Sequence, residues 1–116
     1  KIFRNSIKKI LSDLGYSFLE GSDGEDGLEV IKNFHDSISL LIIDLNMPKL
    51  DGVQVLDIMI ENALGTDIPI ILFTSEPPKE FETLRKRVPN LKAWMMKPLM
   101  EKKFMAVAKR LLKKGD

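Results

Sequence analysis

The chain has 116 residues, a length that suits one compact domain. Its formal net charge of +1 provides no polybasic field of the kind that binds nucleic acid or an acidic membrane surface. It contains no cysteine, which excludes disulfides and thiolate metal sites, and no apolar run approaches the ~20 residues that cross a bilayer.

The first half of the chain predicts three helices and two strands. An apolar stripe with helical spacing starts at Ile2 or Phe3 and is followed by Gly15 in a C-cap position. A weak apolar run at residues 17–20 indicates a strand before the second helix. The remaining elements are a helical stripe of Leu28, Ile31 and Phe34, an apolar strand at residues 40–43, and a helical stripe of Leu56, Met59, Ile60 and Ala63.

The second half predicts two more strands and two more helices. Residues 68–73 form an almost continuous apolar run, which is typical of a strand in a parallel sheet that is covered on both faces. Residues 93–96 form a weaker run of the same kind. The helical stripes are a short one of Phe81, Leu84 and Val88 and a last one of Met100, Phe104, Val107 and Leu111.

Helices and strands therefore alternate along the whole chain, beginning and ending with a helix. Strands that are joined through helices pair in parallel with right-handed crossovers. The pattern predicts a doubly wound α/β fold, in which helices cover both faces of one parallel sheet. We expect residues 1–116 to belong to one domain, because no linker-like segment or internal repeat interrupts the pattern.

Polar residues follow three of the predicted strands at the point where each strand ends. Asp44 follows the run at 40–43, Thr74 follows the next run, and Lys97 follows the last. In a doubly wound sheet, ligands bind beyond the carboxyl ends of the strands. A carboxylate, a hydroxyl and an ammonium group at one edge provide a nucleophile or metal ligand, a hydrogen-bond donor and a cation. These are the groups that hold a transferring phosphoryl group.

Several segments, taken together, resemble the receiver domains of bacterial two-component response regulators. Residues 40–52 resemble the phosphoacceptor segment of that family, and residues 69–75 and 96–99 resemble its fourth and fifth strands. Residues 21–29 are similar to its turn into the second helix. The resemblance covers essentially the whole chain and implies the three-layer α/β/α fold of receivers.

The resemblance implies a role for each matching residue. Asp44 would accept the phosphoryl group as an acyl phosphate, while Thr74 and Lys97 would each contact a phosphoryl oxygen. Asp44 and the backbone carbonyl of Asn46 would help to hold Mg²⁺. Trp94 falls where the family keeps an aromatic residue that turns inward together with the threonine. Phosphorylation would thereby remodel the face formed by the fourth helix and fifth strand.

The resemblance also exposes a gap at the start of the chain. Receivers open with a strand that lies between their second and third strands and ends in two adjacent acidic Mg²⁺ ligands. Alignment places that strand and its acidic pair upstream of Lys1. Three alternatives stay open: upstream residues supply the strand, a swapped or partner segment fills its position, or the remaining sheet closes up. We expect Mg²⁺ binding to be weak or absent in the chain as it stands.

The expected activity and partners follow from the same resemblance. A receiver catalyses only its own phosphorylation and dephosphorylation. Its partners would be a sensor histidine kinase or a phosphotransfer protein, and an output domain or target protein; receivers also pair with one another. Direct contact with nucleic acid or a membrane is not expected. Family and the lack of an export signal favour a cytoplasmic location.

Two other functions compete with the phosphorylated receiver. A receiver-like interaction module that no longer uses phosphate stays open because the acidic pair is absent, although Asp44, Thr74 and Lys97 argue against it. An aspartate-nucleophile phosphatase would need a general acid two residues after Asp44, and the amide of Asn46 cannot serve as one.

Overall fold

The structure of the chain is a computed structural model that describes residues 2–21, 23–45, 52–75, 81–97 and 99–113. The helices are α1 (Ile2–Asp13), α2 (Gly24–Phe34), α3 (Gly52–Glu61), α4 (Phe81–Arg87) and α5 (Glu101–Lys113), and a 3₁₀ turn (His35–Ser37) follows α2. The strands are β1 (Leu41–Asp44), β2 (Ile70–Thr74) and β3 (Leu91–Met96). All five predicted helices are therefore present. Within the described ranges, no helix has both the length and the apolar character that a membrane span requires.

The three strands form one parallel sheet with β2 in the centre. Asp44 at the end of β1 lies opposite Phe73, and Thr74 at the end of β2 lies opposite Met96. The carboxyl ends of all three strands therefore reach the same edge of the sheet. Because a helix joins each strand to the next, the predicted parallel α/β architecture is confirmed.

Helices cover both faces of the sheet because the central strand is apolar along most of its length. All five residues of β2 are buried, and alternate side chains of a strand point to opposite faces. Ile70 and Leu72 belong to an α2–α4 cluster, whereas Ile71 and Phe73 belong to an α1/α5 cluster. The buried members are Ile31, Ile43, Val55, Leu56, Met59, Ile70, Leu72, Leu84, Val88 and Leu91 of the first, and Ile7, Ile10, Ile71, Phe73, Phe104, Ala108, Leu111 and Leu112 of the second.

Helix α1 ends in the glycine cap that the sequence predicts. Gly15 has a φ of +91°, in the left-handed region that glycine adopts without steric cost. Its N–H donates to the carbonyl of Ser12 over 3.0 Å, and the N–H of Tyr16 donates to the carbonyl of Leu11 over 2.9 Å. These two bonds form a Schellman motif, which satisfies carbonyls at the helix end.

The predicted strand at residues 17–20 is absent, so this prediction was wrong. These residues form neither helix nor strand and are exposed; Phe18 and Leu19 have exposed fractions of 41% and 52%. A strand forms its hydrogen bonds with a neighbouring strand. In the described part of the chain, β1 pairs with β2 alone, and no strand lies between β1 and residues 17–20. The weak apolar run therefore has nothing to pair with.

Candidate functional site

The carboxyl edge of the sheet holds the three polar residues that the sequence selects. Asp44 is the last residue of β1, Thr74 is the last residue of β2, and Lys97 directly follows β3. Each of these residues comes from a different strand, and the three strands are adjacent. The structure thus brings together residues that are far apart in the sequence.

A direct ion pair joins Asp44 to Lys97 across the end of β2. The Lys97 Nζ donates to the Asp44 Oδ2 over 2.7 Å. The side chains of Asp44 and Lys97 are 30% and 28% exposed, so the pair is partly buried but still in contact with water. This short distance is typical of a charge-assisted hydrogen bond. The carboxylate of Asp44 is therefore held beside a cation while it stays accessible from solution.

Thr74 lies between the two charged residues in the strand order. It is the one polar or charged residue among those described that is buried, at 4% exposure. Its carbonyl accepts a hydrogen bond of 2.9 Å from the N–H of Lys97, which fixes the backbone of Lys97 beside the end of β2. Among the residues that the structure describes, no buried side-chain nitrogen or oxygen lacks a hydrogen-bond partner.

Gly52, the first residue of α3, packs against the residue that follows Asp44. A Cβ atom on Gly52 would lie 2.9 Å from the Cα of Leu45 and 2.8 Å from its Cδ2, closer than real contacts allow. The N–H of Leu45 in turn donates to the carbonyl of Phe73 over 2.8 Å. A side chain at position 52 would therefore push on the backbone next to Asp44. Gly52 lies in the segment 40–52 that resembles the phosphoacceptor segment, but no local pattern in the sequence indicates this close approach.

Two aromatic residues contact one another beside the site, on the face of the sheet that α4 covers. Trp94 of β3 is half-buried, and its ring centroid lies 6.4 Å from that of Phe81, at an interplanar angle of 58°. Both side chains pack against the α2–α4 cluster. The sequence singles out Trp94 but assigns Phe81 only to a helical stripe, because nothing local indicates that the two rings meet.

The residues described here do not complete a magnesium site. Of the two predicted ligands, Asp44 lies at the sheet edge, and Asn46 lies outside the described residues. No group of three His, Cys, Asp or Glu side chains that could hold a metal occurs within the described ranges. Mg²⁺ requires near-octahedral oxygen coordination and usually takes one or two protein carboxylates besides water. Asp44 provides one carboxylate.

The geometry at the carboxyl edge provides groups that can accept a phosphoryl group. Asp44 provides a carboxylate nucleophile, and Lys97 provides a cation that can pair with the negative charge of an incoming phosphoryl group. His35, the only histidine of the chain, lies in the 3₁₀ turn after α2, where its Nδ1 is 3.1 Å from the Oδ1 of Asp36. It therefore comes from the turn that precedes β1 and contributes no base at the carboxyl edge.

Comparisons with known proteins agree with this architecture. Residues 1–109 match the family model described as "Response regulator receiver domain". The chain is 30% identical over 117 residues to "Probable transcriptional regulator ycf27" of Porphyridium aerugineum, covering 97% of this chain and 45% of that protein. It is also 30% identical over 115 residues to "Response regulator MprA" of Mycobacterium leprae, covering 96% of this chain and 46% of that protein. The chain thus spans less than half the length of either relative.

Solved structures show the same fold. The chemotaxis protein CheY4 of Vibrio cholerae superposes with a TM-score of 0.78 at 23% sequence identity, over 93% of this chain and 88% of that one. At this level of identity the likeness concerns the fold alone.

Proposed function

We infer the function of this chain from one premise: it belongs to the response regulator receiver domain family. It is therefore a receiver domain of the kind used in two-component signalling. We propose that Asp44 is its phosphoacceptor, that Thr74 and Lys97 hold the phosphoryl group, and that Trp94 responds to it. The contact that carries this proposal is the 2.7 Å ion pair between Asp44 and Lys97 at the carboxyl edge.

In the proposed reaction, a carboxylate oxygen of Asp44 forms a bond to phosphorus. The bond between phosphorus and the donor breaks, and the donor leaves with the electron pair. Lys97, already within hydrogen-bond distance of Asp44, pairs with the charge that the new phosphoryl group carries. The hydroxyl of Thr74 donates to a second phosphoryl oxygen. Water later cleaves the acyl phosphate, so the chain catalyses only its own modification.

Mg²⁺ would supply further positive charge to the phosphoryl oxygens. Asp44 and the carbonyl of Asn46 are the ligands that this chain itself would offer, and the carboxylates of the adjacent acidic pair that receivers carry would complete the site. We propose that residues outside the described sheet supply these carboxylates, together with a strand that pairs with the edge of β1 that has no strand partner among the described residues. This strand would also allow residues 17–20 to join the sheet as its next member.

The family and the relatives indicate the class of partner. A sensor histidine kinase or a phosphotransfer protein would donate the phosphoryl group. Because the chain covers less than half of the regulators that it matches, we propose that residues 1–116 act as a receiver unit joined to an output domain or bound to a target protein. We propose that, like two-component partners of this kind, the protein acts in the cytoplasm.

The first test is direct detection of the aspartyl phosphate. The natural full-length protein is incubated with acetyl phosphate and Mg²⁺, and its intact mass is recorded. We expect one labile phosphoryl group in the wild type and none in Asp44→Asn. Asp13→Asn, an exposed aspartate at the end of α1, is the matched control and should be labelled normally. Absence of any adduct, under conditions that label a known receiver, would favour a phosphate-independent interaction module instead.

A further inference from the structure

We propose that Phe81 is a positioning residue for Trp94, and that the contact between their rings couples the Asp44 site to the start of α4. The inference rests on the proposed function, because it assigns a regulatory contact to the same site. It goes further by naming the residue that holds Trp94 in its present position.

The two rings are placed for a favourable aromatic contact. Their centroids are 6.4 Å apart and their planes are inclined by 58°, within the range in which tilted aromatic pairs attract one another. Phe81 is the first residue of α4 and Trp94 lies on β3, so the contact joins a helix start to a strand. Both rings are half-buried and rest on the α2–α4 cluster.

Trp94 is also connected to the phosphoacceptor edge through the sheet. It lies opposite Leu72 of β2, and two residues further along the same strands Met96 lies opposite Thr74. The N–H of the next residue, Lys97, donates to the carbonyl of Thr74. The strand that carries Trp94 therefore leads directly into the cation that binds Asp44.

Close packing makes the two aromatic residues dependent on one another. Protein interiors leave few voids, so a bulky ring moves only when its neighbours also move. If Trp94 turns as phosphorylation occurs, its present contact with the ring of Phe81 is broken unless the first turn of α4 moves with it. The contact thus favours the arrangement seen here, in which Lys97 pairs with Asp44.

Loss of the contact between Phe81 and Trp94 should shift the equilibrium from the arrangement seen here towards the phosphorylated arrangement. A favourable interaction made in only one state raises the population of that state, and its removal lowers it. For an aromatic pair, the expected change in the equilibrium is about two- to tenfold. A protein without the Phe81 ring should therefore be phosphorylated faster by acetyl phosphate, because it reaches the phosphorylated arrangement more readily.

The test compares Phe81→Leu, Phe81→Tyr and wild type in the full-length protein. Leucine keeps an apolar side chain but removes the ring, whereas tyrosine keeps the ring. Phe34→Leu, which removes an exposed ring at the end of α2, is the matched control. Two quantities are measured. The first is the rate of labelling by acetyl phosphate. The second is the fluorescence of Trp94 and its quenching by acrylamide, where the part of the signal that disappears in Trp94→Phe is assigned to Trp94.

We expect Phe81→Leu to be labelled about two- to tenfold faster than wild type. Before phosphorylation, its Trp94 signal should already be shifted towards that of the phosphorylated wild type. Phe81→Tyr and Phe34→Leu should behave like wild type. A residue that only filled space would change the stability of the protein and leave these two quantities unaltered.

Two further outcomes would overturn the inference and can be told apart. If all forms are labelled at the same rate and Trp94 of Phe81→Leu responds as in wild type, the role of Phe81 is refuted and the proposed function stands. If the wild type acquires no phosphoryl group, the proposed function fails, and the coupling through Phe81 fails with it.

Discussion

At the residue scale, the site depends on a few side chains held at one edge of the sheet. Asp44 and Lys97 come from the two outer strands of the described sheet and meet over the end of the middle strand. Thr74 ends that middle strand and is buried, and its carbonyl accepts a hydrogen bond from the N–H of Lys97. The arrangement leaves the Asp44 carboxylate accessible while the groups around it are already in place. Preorganised charges of this kind lower the cost of transferring a charged group.

Removal of the positive charge at Lys97 should slow phosphorylation strongly and change the free energy of unfolding only slightly. We expect acetyl phosphate to label Lys97→Met at about one tenth of the wild-type rate or below, because the phosphoryl group loses the cation that pairs with its charge. The free energy of unfolding should change by about 1 kcal/mol or less, since a partly exposed ion pair is screened by water. Lys92→Met, at an exposed lysine of β3, is the control. Equal labelling rates for the two variants would contradict the role of Lys97.

At the scale of elements, each helix and strand reflects local chemistry as well as its neighbours. Asp23 caps α2, because its Oδ1 accepts a hydrogen bond of 2.9 Å from the N–H of Asp26. Gly15 ends α1 in the left-handed conformation. Residues 17–20 show the opposite case, because their local pattern is strand-like but no partner strand is present among the described residues. Helix ends are therefore decided locally, whereas strands require a neighbour.

The glycine at the end of α1 provides a test of this local control. Gly15→Ala should lower the free energy of unfolding by about 1 to 2 kcal/mol, because alanine pays a steric cost at a φ of +91°. The measurement is urea denaturation monitored by circular dichroism. Ser12→Ala, at an exposed helical position in the same turn, should change the free energy by less than about 0.5 kcal/mol. An unchanged free energy of unfolding in Gly15→Ala would contradict a steric cost for alanine at this φ.

At the scale of the whole molecule, β2 holds the layers together. Its residues alternate between the α2–α4 cluster and the α1/α5 cluster, so one strand contributes to both halves of the core. In the α1/α5 cluster, Phe73 of β2 contacts Phe104 of α5, and their ring centroids are 5.8 Å apart. The strand that ends in Thr74 is thus also the most deeply buried element. The site therefore lies at the end of the most deeply buried of the described strands.

Truncation of a ring on β2 should therefore be far more costly than truncation of a ring on the surface. Phe73 is fully buried, and Phe73→Ala should lower the free energy of unfolding by about 3 to 5 kcal/mol. Phe34 is 46% exposed, and Phe34→Ala should cost about 1 kcal/mol or less. Both changes in free energy are to be measured by urea denaturation of each variant and wild type under the same conditions. Similar costs for the two variants would contradict the three-layer arrangement.

Much of the fold and part of the site could be predicted from the sequence. The helical stripes gave all five helices, and the apolar runs ending in Asp44, Thr74 and Lys97 gave three parallel strands whose ends meet at one edge. Predictions for Asn46 and for the acidic pair upstream of Lys1 lie outside the described residues. The functional roles of Asp44, Thr74, Lys97 and Trp94 remain predictions that the phosphorylation experiments test.

The division between sequence and tertiary structure has a physical origin. Periodic apolar residues and helix caps act over a few residues. The sequence by itself therefore determined the helices, the buried strands and the polar residues that end the strands. The ion pair between Asp44 and Lys97, the contact of Phe81 with Trp94 and the missing strand at 17–20 each depend on residues that are distant along the chain. Only the packed sheet decided these, because a contact or a strand exists only where its partner is brought into place.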